Sequence, residues 1–178
     1  MSTYQTVSLS AQQGETVGLR ALLPDDRGRL KTLLSHPEVR SHIMMRSGAG
    51  SQQLDKLVSR MLYPYDPCAL HAGIHLKGSD ELIGTASLQN WSRHEGKAVL
   101  GYMVDPLWWG RGLASEAVAL LLQYGIQELG LVKVEGRCRG DNHRSERVML
   151  NNGLKLERIM PMPGSSGDVM KVFTLLHN

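Results

Sequence analysis

The chain has 178 residues, 42% hydrophobic and 21% charged, which is enough for one folded domain with a real core and unlike a disordered segment. A formal net charge of +3 suits an anionic ligand such as a nucleotide, but it is too small and too scattered to argue for nucleic acid. No apolar run approaches the roughly 18–20 residues that span a bilayer, and the start "MSTYQTVSLSAQQGE" lacks the order of a secretory signal, so the expectation is a cytoplasmic protein with no membrane attachment.

Residues 1–178 read as a single domain, with 1–16 as a poorly ordered or peripheral extension. "VGLRA" predicts a strand, and "LLPDD" a helix start near Pro24, where proline and two aspartates fit the first turn. "PEVRSHIMM" and "SQQLDKLVSRML" predict two further helices, joined by a flexible "RSGAG". The period then changes. "ALHAGIHL", "LIGTASLQ" and "KAVLGYMV" predict three consecutive antiparallel strands, separated by the turns "KGSDE" and "SRHEG". A largely apolar helix follows over 115–129, stopped at Gly130, and Gly125 inside it costs about 1 kcal/mol relative to alanine. "VKVEGRCR" predicts a strand, "NHRSERVMLNNG" a helix, and residues 154–160 and 168–176 a closing strand pair. A strand–helix–strand unit in the middle implies one parallel pair inside an antiparallel sheet.

The chemistry concentrates at "WWGRGLASEA", residues 108–117. A P-loop would need Gly-Lys followed by Ser or Thr, and "GRGLAS" has neither. A dinucleotide fold would put its first glycine at a strand tip, whereas "DPLWW" separates Val104 from Gly110. Two readings stay open. The backbone N–H groups of residues 109–114 can cradle a pyrophosphate at a helix N-terminus, with Arg111 at the rim. Alternatively, the glycines serve a tight turn for packing alone. Cys68 and Cys138 have no metal-ligand spacing and read as free thiols. Trp91, Trp108 and Trp109 read as packing residues. Met44, Met45, Met160 and Met162 form either an adaptable wall beside an acceptor site or scattered exposed side chains.

"LGYMVDPLWWGRGLASEA" resembles the coenzyme A-binding segment of the GNAT N-acetyltransferases, and is similar more narrowly to the RimJ/RimL-like ribosomal-protein branch. The superfamily pattern Gln/Arg-x-x-Gly-x-Gly/Ala reads here Trp109-Gly110-Arg111-Gly112-Leu113-Ala114, with Trp109 as the departure. The likeness extends through Asn142 and Ser145 and spans about residues 17–176. It implies an α+β fold: a mixed, mostly antiparallel sheet with helices on both faces, splayed between the strand ending at Val104 and the strand Lys133–Arg139. Acetyl-coenzyme A, as co-substrate, would lie in that gap against Met103, Val104, Trp109, Gly110, Arg111, Gly112, Leu113, Ala114, Asn142 and Ser145. No metal is implied. The partner would be an amine acceptor, a peptide N-terminus or a small molecule, and the chain a monomer or homodimer.

Acetyl transfer needs a neutral amine, an oriented thioester, a stabilised oxyanion and a departing thiolate. A backbone N–H near Val104 serves the oxyanion. A thiol with a pKa near ~8.5 leaves without a strong acid. Ser145 occupies the family position that offers a hydroxyl to sulfur, against a plainer reading as a polar residue in a helix first turn capped by Asn142. Relatives often carry Glu where this chain has Val99, which leaves His75, His94 and Glu95 as candidate bases. An α-amine, with a pKa near ~8, needs less help than a lysine or polyamine near ~10.4. The alternatives are a polyamine, aminoglycoside or amino acid acetyltransferase, and a non-catalytic acyl-coenzyme A binder.

Overall fold

The computed structural model describes residues 9–43 and 50–178. Its centre is an eight-stranded sheet in the order β1-β2-β3-β4-β5-β6-β8-β7. The strands are β1 (Gln12–Gln13), β2 (Val17–Ala21), β3 (Leu70–Leu76), β4 (Leu82–Ser92), β5 (Lys97–Val104), β6 (Lys133–Arg139), β7 (Lys155–Pro161) and β8 (Val169–Leu176). β5 and β6 run parallel and every other neighbouring pair is antiparallel. The expected mixed sheet with one central parallel pair is what the chain forms.

Strand alternation sends side chains to two cores. On one face lie α4 (Leu113–Leu129) and α5 (His143–Asn151), over Leu19, Ile74, Leu88, Leu100 and Val134. On the other lie α1 (Arg27–Ser35), α2 (Pro37–His42) and α3 (Ser51–Leu62). α1 presents Leu30, Leu33 and Leu34 at helical spacing, and α3 presents Val58 and Met61, all packed with Leu82. Pro37 ends α1 because the residue before a proline avoids helical backbone, and His36 is extended at φ −62°, ψ 126°. Among the described residues, no helix is long and apolar enough to cross a membrane.

Several details differ from the sequence expectation. β4 does not stop at Gln89. Asn90 takes φ +50°, the register slips between Gln89 and Ser92, and the strand resumes to bury Trp91. α4 starts two residues early, at Leu113, because Gly112 at φ +75° is its N-cap. Gly125 is not merely a cost to its helix: a Cβ there would meet Leu131 Cδ1 at 2.8 Å and Leu88 Cδ1 at 3.1 Å, so the glycine lets α4 close onto the sheet. α2 ends at His42, and the expected helical residues Met44 and Met45, like most of the "RSGAG" joint, lie outside the described residues.

Candidate active site

The parallel pair is short. β5 and β6 pair from Lys97 with Lys133 to Leu100 with Gly136, and then part. β5 runs on to Val104 beside β4, while β6 follows β8 to Arg139. A gap opens between them, as the family resemblance implied. Backbone groups alternate sides along a strand. The Asp105 N–H donates to the Ile83 carbonyl at 2.8 Å, toward β4. The same alternation turns the backbone of Met103 toward β4 and that of Tyr102 and Val104 toward the gap.

A cavity of about 730 Å³ passes through this gap from one face of the sheet to the other. At one end is the glycine turn. Gly110 and Gly112 have φ of +76° and +75°, and a Cβ on either would meet no protein atom within 4 Å. Packing inside the protein therefore does not require these glycines; the left-handed backbone and the open cavity do. α4 has no side chain capping its first turn, so the N–H groups of Leu113, Ala114 and Ser115 have no intrahelical partner and stand on the cavity wall with the positive end of the helix dipole. The Trp109 N–H is not among these donors, because it bonds the Pro106 carbonyl at 3.1 Å. Arg111 does not line the cavity; its guanidinium lies 4.9 Å over the Trp108 ring.

Trp109 is more than packing. Its indole N–H donates to the Val104 carbonyl at 2.8 Å, which latches the glycine turn to the end of β5. Arg144 lies 4.3 Å over its ring, and the His42 ring is 6.4 Å away. The Arg29 guanidinium steadies the same approach by bonding Asp105 at 2.6 Å and the Leu82 carbonyl at 2.9 Å. Burial alone would raise the Asp105 carboxyl, but the Leu107 N–H and Arg29 outweigh it and hold the group below its ordinary range.

In the middle of the gap, Ser145 and Tyr102 meet. Asn142 Oδ1 caps α5 by accepting the Ser145 N–H at 3.1 Å, so Asn142 is the cap and the Ser145 hydroxyl is left for other work. The Tyr102 hydroxyl donates to the Ser145 carbonyl at 2.9 Å and lies 2.6 Å from Ser145 Oγ. Sequence reading missed Tyr102, although β-alternation puts it on the α5 face with Leu100. Burial pushes its phenol well above the ordinary value, and pushes the neighbouring Cys138 thiol up to about 11. Cys138 is buried, Cys68 is exposed, and neither is bridged.

On the far face, register sets His71, Ser87 and Gly101 in one row across β3, β4 and β5. Gln89 Nε2 donates to Ser87 Oγ at 2.9 Å. The expected bases are elsewhere. His75 is buried two turns of the pleat away, with Nδ1 2.9 Å from the Leu76 carbonyl, and neither His94 nor Glu95 lines the cavity. Glu95 pairs with Lys97 in the distal turn. The imidazoles that do line the cavity are His42 and His71, each with a buried Nδ1 that has no partner. Desolvation lowers His71 to about 4, so it is neutral at physiological pH. Of the four methionines read as a possible acceptor wall, Met160 and Met162 do not line the cavity, and Met44 and Met45 lie outside the described residues. Val99 lines the cavity.

A mixed sheet parted at its one parallel pair, with uncapped helix amides at one end of the opening, defines an acyltransferase of the GNAT type. The match to the acetyltransferase (GNAT) domain family runs over residues 16–155, and the chain belongs to that family of enzymes. It is 25% identical over 143 residues to the uncharacterized N-acetyltransferase YoaA of Bacillus subtilis (strain 168), covering 80% of this chain and 81% of that one. It is 36% identical over 78 residues to the ribosomal-protein-serine acetyltransferase of Escherichia coli (strain K12), 44% of each chain. Among solved structures, Mycobacterium smegmatis RimJ in complex with CoA-disulfide superposes with a TM-score of 0.78 at 18% identity, covering 97% of this chain and 88% of that one.

Proposed function

We propose that the protein moves an acetyl group from acetyl-coenzyme A to a primary amine, by direct attack with both substrates bound. The observation that carries this reading is the single cavity joining the uncapped α4 amides, the Tyr102–Ser145 pair and the His71–Ser87 face through the parted strands. The residues present suit the co-substrate. The Leu113, Ala114 and Ser115 amides with Gly110 and Gly112 hold its pyrophosphate. Val104 and Tyr102, with Met103 between them, offer a strand edge to its pantetheine arm, and Trp109 and Asn142 flank it. Bound acetyl-coenzyme A supplies an acetyl thioester.

The Val104 N–H, turned into the gap, is the donor for the developing oxyanion. The Ser145 hydroxyl hydrogen-bonds the sulfur as the C–S bond breaks. Tyr102 has both the Ser145 carbonyl and Ser145 Oγ within reach, and turning its one proton to Oγ frees the Ser145 proton to point at the sulfur. The new C–N bond forms on the His71 face, and the surplus amine proton passes to water. No carboxylate lines the cavity among the described residues, which favours an acceptor with a substantial neutral fraction near physiological pH, such as a protein N-terminal α-amine. The test is thiol release with a panel of peptide and small-molecule amines. Wild type releases free thiol and yields acetylated amine. Ser145→Ala lowers kcat about 10- to 100-fold while coenzyme A affinity stays within a few-fold. Tight coenzyme A binding with no release on any amine would leave only an acyl-coenzyme A binder.

A further inference from the structure

The cavity wall carries four arginines, two histidines and not one aspartate or glutamate among the described residues. Residues 1–8 and 44–49 contain no Asp or Glu in their sequence. The cations divide between the two ends. Arg144 and Arg147 stand on α5, whose Asn151 and Asn152 bond Ser115, and so belong to the glycine-turn end. Arg60 and Arg137 stand at the other end. Arg60 is on the last turn of α3 beside Leu57 and Met61, exposed, with no ion pair among the described residues, and it acts electrostatically on His71. Arg137 is on β6, two residues past the Val99–Glu135 pair and on the same face, opposite Gly101 across the gap. It bonds Glu135 at 2.6 Å, but Glu135 also holds Arg158 at 3.3 Å. Arg158 and Lys133 share Glu157 in turn, so three cations meet two carboxylates and the rim keeps a positive charge. Asp66 acts on His71 from outside the wall, with its carboxylate bonded to the Cys68 N–H.

We propose that the acceptor is a primary amine carrying its own carboxylate, and that Arg60, with Arg137 across the mouth, binds that carboxylate. This rests on the acetyltransferase reading of the same cavity. A polyamine or aminoglycoside would bring several positive charges to a wall that offers four arginines and no carboxylate among the described residues. A carboxylate-bearing amine supplies the missing anion itself. The same cations disfavour the ammonium form of the acceptor, which is the effect a base would otherwise have to produce in a cavity without a lining carboxylate.

Matched acceptors test it, with thiol release as the readout. Glutamyl-alanine amide against glutaminyl-alanine amide probes a side-chain carboxylate, alanine against alaninamide an α-carboxylate, and spermidine a polycation. With kcat/KM expressed per neutral amine, because the amine of alanine is more basic than that of alaninamide, one carboxylate acceptor should exceed its amide partner at least about tenfold, the size of one charge-assisted hydrogen bond, and spermidine should be poorest. The pair that shows the ratio tells which carboxylate is read. Arg60→Gln, at an exposed position whose fold is checked by melting, should bring the ratio to within about threefold of unity through KM. Amides equal to or better than carboxylates, spermidine preferred, or a ratio that survives both Arg60→Gln and Arg137→Gln would overturn the proposal and leave the acetyltransferase reading standing. Coenzyme A binding without thiol release on any acceptor would instead sink both.

Discussion

Burial sets the protons around the gap. Tyr102 and Cys138 are both pushed up by desolvation, so each keeps its proton at neutral pH, while His71, pushed down to about 4, has none to lose. None of the three changes charge between pH 5 and 9. The no-base reading then predicts that the pH dependence follows the acceptor: log kcat/KM should rise as the amine deprotonates, with an inflection that moves with the amine's own pKa across a series. An inflection near pH 6–7 that stays fixed across acceptors and vanishes in His42→Asn or His71→Asn would name a protein base instead. The sequence showed the alternation of "ALHAGIHL", which puts His71 and His75 on one face. It could not show that the register sets His71, and not His75, beside Ser87 and Gly101, because strand pairing is a tertiary fact.

The glycine turn is an element built from both sides. Trp109 latches it to β5, Asp105 caps the short turn before it, and Arg29 ties Asp105 to α1. Gly112 sits in the left-handed region with open space where a side chain would go. Gly112→Trp should therefore fold, losing about 1–2 kcal/mol to the strained φ, yet fill the cradle. Titration calorimetry should show coenzyme A affinity down by two orders of magnitude or more; unchanged affinity in a folded variant would place the pyrophosphate elsewhere. Glycine spacing made this turn legible in the sequence, and the helix behind it came out within two residues. What could not be read was the latch. "WW" gives bulk, but only the fold shows which tryptophan bonds β5 and which lies under Arg111.

At the scale of the whole molecule, the order of elements was legible because the apolar period switches from helical to alternating and back, and one strand–helix–strand unit fixes the parallel pair. The length of that pair was not legible from pattern, and its four-residue extent is what opens the cavity. In the proposed reaction this cavity would hold both substrates, and Cys138 is the one thiol on its wall among the described residues. A buried thiol pushed up to about 11 is a poor nucleophile, so the acetyl group should pass directly to the amine and not through the protein. Initial rates measured over a matrix of acetyl-coenzyme A and acceptor concentrations decide this. Direct transfer predicts intersecting double-reciprocal lines and no acetylated protein when the acceptor is omitted. Parallel lines, with acetyl found on Cys138 by mass spectrometry, would contradict it.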